Sequence, residues 1–444
     1  MDYNVLFLKA KELNIEALEL YEATTKEIEV SLFEGEVDDY NSSDVKGLAI
    51  RGIYQGKEGN TFIEKFSDDL GDEILQRIIS SSLTIENDDE VLFNQTMGNY
   101  EQLQTYFPQL ENIATQDIIS LLKALEKTVL DLDPRIKQVM STNFAIAQKE
   151  IRIFNSYGLS LERKNNYAIL STSLMVGEQE DTKTGFDYQV KFSIDEFSVE
   201  QIAKKAVAKA VSMLHATTVK SGKYNVLVKN EAMIGILGSL IPSLNGDLVN
   251  KGLSKYKDSL NKKVLNQDLT IIDNPHLEKG IGSTPFDDEG TPTSKKAVIE
   301  NGVINTFLHN LKTGKKSKSQ STGNGFKSGY KSEVGIRPTN FYIEPKEASF
   351  QDLLEKTGCG IMIENIQGLH SGMNTLTGDF SLQCSGHIIE NGKISAPVNL
   401  ILLSGNLFKL FDEQLVAIGS DLHFSYSGIG SSSILFKDCL ISGN

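Results

Sequence analysis

The sequence predicts an α+β protein that is built mainly from antiparallel strands. Runs rich in β-branched residues alternate between apolar and polar positions, as residues 28–33 do. Gly, Asn and Ser separate these runs, and only a few segments carry apolar residues at helical spacing. We therefore expect an N-terminal α/β region with an antiparallel sheet, a middle α/β segment and a mostly antiparallel C-terminal domain.

We divide the chain into three predicted domains, residues 1–100, 101–220 and 221–444. A chain of 444 residues is long enough for two or three domains with sizeable cores. The first two regions combine strands with amphipathic helices. The third is rich in Gly, Ser, Asn and Thr around short apolar runs, a pattern typical of antiparallel strands joined by many turns.

The first predicted domain begins with a short helix over residues 2–13. Strands follow between residues 17 and 63, with turn signals at Gly35, at residues 38–43 and at residues 56–60. An amphipathic helix comes next, because four apolar residues recur at helical spacing: Leu70, Ile74, Ile78 and Ile79.

The second predicted domain contains a helix over residues 115–130 and a short helix after Pro134. A meander of four strands follows, at residues 145–155, 158–163, 167–176 and 186–194. The region closes with a helix from Val199 to about Thr217, since its apolar residues form one continuous stripe. In the third region, one helix is predicted over residues 231–240.

Composition and charge limit the classes of function. The net charge of −15 disfavours nucleic-acid binding, which needs clustered Lys and Arg. No run approaches the ~20 apolar residues that span a bilayer, and the start of the chain lacks a signal-peptide pattern. Three cysteines without a Cys-x-x-Cys pair fit a reducing compartment. We expect a cytoplasmic protein that binds neither nucleic acid nor a membrane.

One basic cluster stands out against the acidic composition. Its interpretation as a solvated loop or hairpin is the simplest, because it lies in a stretch rich in Gly and Ser. The alternative is a contact for a small anion or a peptide carboxylate. The cluster contains Lys312, Lys315, Lys316, Lys318, Lys327 and Lys331.

Several short phrases resemble the signatures of a known family and occur in the same order. Each phrase alone is a weak turn motif, whereas their joint order over most of the chain is specific. On this basis the chain resembles the TldD/PmbA peptidase family. The matching segments are residues 23–30, 41–42, 47–51, 282–292 with Asp-Asp-Glu-Gly at 287–290, 321–325, 378–381, 386, 389–393, 404–407 and 418–421.

The resemblance also locates the family's zinc motif. TldD-type members hold zinc with a His-Glu-x-x-x-His motif and a Cys near the chain end, and the metal-bound water is activated with the help of the Glu. In this chain Asn230 occupies the first His position and Gly235 the second, so that only Glu231 remains. A neutral amide is a poor zinc ligand, and glycine has no side chain. The segment corresponding to the Cys, residues 426–433, is rich in Ser.

The resemblance therefore implies a member of the PmbA (TldE) kind, without a catalytic residue, cofactor or metal of its own. Such a chain is expected to be the inert partner of a TldD-type protein that carries the zinc, or to form a homodimer. The pair would cleave unfolded or small peptides inside a dimer cavity. Residues 321–343 are the expected peptide contact, as strand edges lined by Gly, Ser and Asn. We expect Glu231 to be a carboxylate stabilised at a helix N-terminus.

Two other functions stay open. A self-sufficient metallopeptidase would need a different metal site, for which Cys384, His387 and His370, with Glu364, are the available residues. The simpler interpretation of that group is polar and core residues of a β-hairpin. A regulatory binding protein of the gyrase-modulator type is the third function, as the family's historical name implies.

Two further features have plain structural interpretations. The carboxylates of residues 287–289 could hold a cation, but Gly290 and Pro292 favour a solvated turn. Cys439 lies in a predicted strand, where a cysteine usually fills a core position.

Overall fold

The computed structural model describes residues 2–84, 92–95 and 98–444, and it confirms the α+β class. The N-terminal half contains one six-stranded sheet. The C-terminal half contains two further six-stranded sheets and a two-stranded ribbon. Among the described residues, no helix is both long enough and apolar enough to cross a membrane.

The N-terminal sheet is antiparallel throughout and has the order β3-β2-β1-β4-β5-β6. Because β1 pairs with β4, the sheet continues across residue 100, where we had divided two domains. The three-domain division stays a prediction. The strands are β1 (Ala17–Phe33), β2 (Glu36–Tyr54), β3 (Lys57–Ile63), β4 (Ile136–Asn155), β5 (Ser160–Glu178) and β6 (Asp181–Lys191).

Three local predictions in this sheet are wrong. Strand β4 begins at Ile136, where we predicted a short helix. Residues 38–43, predicted as turns, continue strand β2. The strands predicted at 158–163 and 167–176 are the single strand β5, because the buried Asn166 amide exchanges two hydrogen bonds with the backbone of Phe107. A polar residue that resembles a turn signal is thus satisfied inside the sheet.

Helices cover one face of this sheet, as their apolar stripes predict. Two of them pack on the strand ends near Leu18, Leu20 and Leu48, and the other two pack around Phe144 and Leu170. The opposite face faces the C-terminal half. The helices are α1 (Tyr3–Glu12), α2 (Gly71–Thr84), α3 (Thr115–Leu132) and α4 (Val199–Val211).

The C-terminal half confirms a mostly antiparallel arrangement, with β7–β14 and β13–β19 as parallel pairs. One sheet has the order β10-β9-β8-β13-β19-β18. The other has the order β16-β15-β14-β7-β20-β17, and pairing of β16 with β20 closes five strands into a ring. The strands are β7 (Gly222–Val228), β8 (Ile271–Asp273), β9 (Lys296–Glu300), β10 (Val303–Ile304), β11 (Gly325–Phe326), β12 (Gly335–Ile336), β13 (Phe341–Ile343), β14 (Gly360–Gln367), β15 (Asp379–Glu390), β16 (Lys393–Asn406), β17 (Leu415–Ile418), β18 (His423–Phe424), β19 (Ile429–Ser431) and β20 (Ile434–Ser442).

Short helices connect these strands, and the predicted helix over residues 231–240 is present. The helices are α5 (Asn230–Gly238), α6 (Ile241–Leu244), α7 (Gly246–Asn250), α8 (Leu311–Lys316), α9 (Phe350–Thr357), α10 (Leu369–Gly372) and α11 (Leu407–Leu410).

A buried ion pair joins the two halves. The Arg163 guanidinium on β5 lies 2.5 Å from the fully buried Asp288 carboxylate of the C-terminal half, and Arg163 is only 12% exposed. The same guanidinium donates to Thr284 Oγ1 at 2.8 Å and to the Phe286 carbonyl. Asn94 and Tyr100 add side-chain donors to the Gly290 carbonyl. The contact therefore fixes how the halves sit against each other.

Removal of one partner of this pair should be costly. We expect Arg163→Met to lower the free energy of unfolding by about 3–5 kcal/mol, because Asp288 would stay buried without its counter-charge. Denaturant unfolding followed by fluorescence measures the change. The matched control is Lys204→Met, which breaks an ion pair with Glu200 between side chains that are 60% and 69% exposed. A loss in Arg163→Met as small as in the control would contradict the assigned role.

Candidate functional site

A cleft of about 260 Å³ opens where β7 passes into α5. It lies between β6, an edge strand of the N-terminal sheet, and β18, an edge strand of a C-terminal sheet. The lining thus combines both halves of the molecule. The lining residues are Tyr188, Glu231, Ala232, Ile234, Gly235, Glu364, Asn365, Ile366, Leu369, His423 and Ser425.

The first position of the expected zinc motif has a structural role. Helix α5 begins at Asn230, whose side-chain Nδ2 donates to the Asp421 carbonyl at 2.9 Å. Its Oδ1 accepts from the Glu231 N–H at 2.8 Å. Backbone groups therefore hold both ends of the amide.

At the second position, a side chain would meet Leu369. A Cβ atom at Gly235 would lie 2.5 Å from Leu369 Cδ1, which is far inside the normal separation of two carbon atoms. Leu369 belongs to α10 and lines the same cleft. The space that a side chain at residue 235 would enter is therefore occupied by leucine.

Buried serines occupy the third position. Residues 431–433 are fully buried, and Asp421 binds both the N–H and the hydroxyl of Ser433, at 2.8 and 2.7 Å. Cys439 lies buried in β20, as predicted, and burial raises the pKa of its thiol to about 12. An amide, a glycine and hydroxyls do not fit zinc, which prefers thiolate, imidazole and carboxylate ligands.

Glu231 lies at the start of α5, as predicted, and forms an ion pair that the sequence did not reveal. Its carboxylate lies 2.8 Å from the Lys209 ammonium, which lies equally close to Asp187. Burial raises the pKa of Glu231, but Lys209 outweighs it and the net shift is downward. A carboxylate that is held ionised by an ammonium is a weak proton acceptor at neutral pH.

A second charged group lies at the opposite wall. Glu364 lies 2.8 Å from both the Lys229 ammonium and His387 Nδ1, and His387 Nε2 is 3.2 Å from the Ser212 carbonyl. Burial raises the pKa of Glu364, but the contacts with His387 and Lys229 lower it to about 2. Each charge of this wall is therefore matched within the chain.

The alternative metal residues are distributed over different environments. Cys384 is buried in β15, and burial raises the pKa of its thiol to about 12, whereas His370 is exposed on α10. His387 contacts Glu364, as described above. Over residues 2–84, 92–95 and 98–444, no group of three or more His, Cys, Asp and Glu side chains is arranged to hold a metal ion. A metal site at Cys384, His387 and His370 stays a prediction.

The predicted solvated turn at residues 287–289 is wrong, because all three carboxylates are buried. Asp287 accepts from the N–H groups of Glu289, Thr291 and Gly325 at 2.9–3.0 Å. Glu289 accepts from the Leu311 N–H at 2.8 Å. Burial raises the pKa of both carboxyl groups, since the charged form loses its hydration. Because these carboxyl oxygens accept hydrogen bonds from backbone N–H groups, their role is structural.

Two other predictions for the same region are correct only in part. Five of the six lysines of the basic cluster are exposed, as a solvated segment requires, but the first three lie on α8 and not on a loop, and Lys327 is buried. Residues 321–343 are not exposed throughout: residues 323–327 and 338–343 are buried, whereas residues 328–337, which include β12, are exposed or half-buried. Gly and Asn suit this tight interior for the same reason that they suit turns: they allow close backbone approach and compact hydrogen bonding.

Comparison with protein families matches three successive models to the chain. PmbA/TldA metallopeptidase domain 1 matches residues 18–87, the central domain matches residues 108–214, and the C-terminal domain matches residues 221–443. The metalloprotease PmbA of Escherichia coli O157:H7 is 27% identical over 428 residues, which cover 94% of this chain and 90% of that protein.

Two solved structures share the whole fold. A Thermotoga maritima protein, named as a candidate modulator of a DNA gyrase, superposes with a TM-score of 0.92 at 30% identity and 99% coverage of both chains. TldE from Thermococcus kodakarensis superposes with a TM-score of 0.91 at 20% identity, covering 99% of this chain and 100% of that one. The latter likeness concerns the fold alone.

A double-mutant cycle tests whether Leu369 fills the space at residue 235. Ala normally stabilises a helix over Gly by about 1 kcal/mol. We expect Gly235→Ala to give no such gain in the native chain, because its Cβ meets Leu369. In a Leu369→Ala background the gain should appear. Gly238→Ala on the same helix is the control, since its Cβ would meet its nearest atom at 3.5 Å. Equal gains at residue 235 in both backgrounds would contradict the packing.

Titration of stability tests the state of Glu289. Its pKa is raised in the folded chain, so the folded state keeps a proton that the unfolded state releases, and the free energy of unfolding falls as pH rises above about 4.5. Glu289→Gln keeps the acceptor for the Leu311 N–H and should flatten this fall, by up to about 1.4 kcal/mol per pH unit. Glu12→Gln, at an exposed position on α1, is the control. If the free energy of unfolding fell equally steeply with pH in the native chain and in Glu289→Gln, Glu289 would be ionised in the folded state.

Proposed function

The chain belongs to the PmbA/TldD metallopeptidase family, and on that premise we propose that it is a PmbA (TldE) type member that acts as the non-catalytic partner of a TldD-type zinc peptidase. The altered zinc motif carries this proposal. The Asn230 amide is bound by backbone groups, Leu369 fills the space at Gly235, and Ser433 is bound to Asp421. Zinc would then belong to the partner alone.

The role of this chain is to hold an extended peptide in the cleft between β6 and β18. Both strands lie at the edges of their sheets, and an edge strand offers backbone groups that an added strand can pair with. The rings of Tyr188 and Tyr426 lie 5.7 Å apart and offer apolar surface to peptide side chains. The charges of Glu231 and Glu364 are internally matched, which suits binding of peptides of varied sequence.

The expected setting is a dimer in the cytoplasm that acts on unfolded or small peptides. The fold shared with a protein named TldE supports a heterodimer with a TldD-type chain, and a homodimer is the alternative assembly. The three cysteines are free, as expected in a reducing compartment.

Metal analysis beside a peptidase assay tests the proposal. We expect the purified chain to hold no stoichiometric zinc and to cleave no unfolded peptide, because its ligand positions do not fit the metal. Mixed with the TldD-type chain of the same genome, it should form a complex that cleaves the peptide and stops when a chelator is added. The TldD-type chain alone is the control for the contribution of this partner.

Two results would contradict the proposal. About one zinc per chain, with chelator-sensitive cleavage by this chain alone, would establish a self-sufficient metallopeptidase and direct substitution to Cys384, His387 and His370. Failure to associate with a TldD-type chain, together with recovery of gyrase in a pull-down, would favour the regulatory role instead.

A further inference from the structure

We propose that the chain has a second binding site, for a carboxylate group, at the junction of its two halves around Lys327, Arg337 and Lys149. The identity of the ligand as a peptide carboxylate rests on the proposed function. The anion-binding chemistry does not, because it follows from the side chains themselves.

Lys327 is the centre of the site. It directly follows β11 and is only 4% exposed, and its backbone N–H donates to Asp288 Oδ2 at 2.8 Å. Its ammonium lies 4.9 Å from the centroid of the Tyr21 ring and forms no ion pair with any described residue. A buried ammonium is costly unless an anion matches it, and one aromatic face compensates only part of that cost. Burial lowers the pKa of Lys327 to about 8, which still leaves most of the charge at neutral pH.

Tyr21 adds an unused hydrogen-bond donor. Its side chain is 2% exposed, and its buried hydroxyl lies close enough to Asp288 for that carboxylate, after burial itself, to raise the pKa of Tyr21. The hydroxyl makes no hydrogen bond of normal length within the described part of the chain, so it and the Lys327 ammonium are two donors that an added acceptor could engage. A carboxylate would satisfy both donors at once.

Arg337 and Lys149 bring further unmatched positive charge. The Arg337 guanidinium lies 4.2 Å from the centroid of the Phe326 ring, and the Arg163 guanidinium lies 5.8 Å from the same ring. Lys149 pairs across the sheet with Asn165, two residues from Arg163 on β5. Neither Arg337 nor Lys149 forms an ion pair with a described residue. Arg337 is exposed, which gives a ligand access from solvent.

Several carboxylates of this region already bind other cations. Asp288 binds Arg163, Asp273 lies 3.1 Å from Lys296, and one oxygen of Glu19 lies 2.5 Å from Arg51, whereas its other oxygen is buried without a hydrogen-bond partner among the described residues. None of these carboxylates forms an ion pair with Lys327, Arg337 or Lys149 in the described part of the chain. The net charge of −15 on the whole chain disfavours a long polyanion, so that a single carboxylate is the fitting ligand class.

The site lies on the same sheet face as the cleft. Strand pairing aligns Asn143, Ser171 and Tyr188 across β4, β5 and β6, and Lys149 lies six residues further along β4. Lys149 is therefore separated from Tyr188 by six residues along a strand and two strand spacings across the sheet, a distance of about 22 Å. An extended peptide covers that distance with about seven residues. A peptide in the cleft could thus place a carboxylate at Lys327.

Peptide binding by the full chain tests the site. Three fluorescein-labelled heptapeptides are compared by anisotropy: one with a free C-terminus, its C-terminal amide, and an amide that ends in Glu. We expect the free acid to bind at least tenfold more tightly than the plain amide. Lys327→Met should reduce this ratio below threefold, and Arg337→Met at an exposed position should act in the same way if Lys327→Met folds poorly. Lys331→Met, which removes an exposed lysine paired with Glu64, should leave the ratio unchanged.

A probe that is not a peptide separates this site from the proposed function. At constant ionic strength, succinate should raise the thermal midpoint of the native chain and not that of Lys327→Met. Succinate stabilisation without binding of any heptapeptide would overturn the peptide role and support the anion site.

The three peptides distinguish the source of the carboxylate. Tight binding of the Glu-ended amide supports the site with an acidic side chain as its ligand, and tight binding of the free acid alone assigns the C-terminus. Equal binding of all three peptides with no succinate shift would overturn the site and leave the peptide role standing.

Discussion

The structure depends on the burial of three consecutive carboxylates between its two halves. Asp287, Asp288 and Glu289 lie out of water, so their carboxyl groups need hydrogen-bond partners from the surrounding chain. Arg163 supplies one from the N-terminal sheet, and backbone N–H groups near β11 and α8 supply others. These contacts join the two halves in the observed placement. The cleft between β6 and β18 inherits its shape from that placement.

The cleft shows how the fold uses the positions that the family resemblance assigns to a zinc motif. Backbone groups bind the amide of Asn230, and Leu369 lies in the space beside Gly235. The carboxylate that remains, Glu231, is neutralised by Lys209. Each of these residues is thus engaged in contacts within the chain.

The sequence predicted the class, most helices and the start of α5, because apolar spacing and capping are local signals. The order of the short segments that resemble the family also pointed to Asn230, Glu231 and Gly235 as the residues at the positions of the zinc motif. It could not predict the Lys209–Glu231 pair or the Arg163–Asp288 pair, whose members lie 22 and 125 residues apart. Residues 287–289 were misjudged for a related reason: a buried polar segment and a solvated turn have the same composition, and only distant partners distinguish them.

The continuous N-terminal sheet has a consequence for how the chain is made. Strand β1 forms its two ladders with β2, which follows at once, and with β4, which begins at Ile136. During synthesis the hairpin of β1 and β2 must therefore wait, with one edge unpaired, until about a hundred further residues have emerged. Long-range pairing of this kind slows folding, and the waiting edge can pair with a neighbouring nascent chain. The acidic side chains Glu27 and Glu29 on that edge strand would discourage such encounters between identical chains.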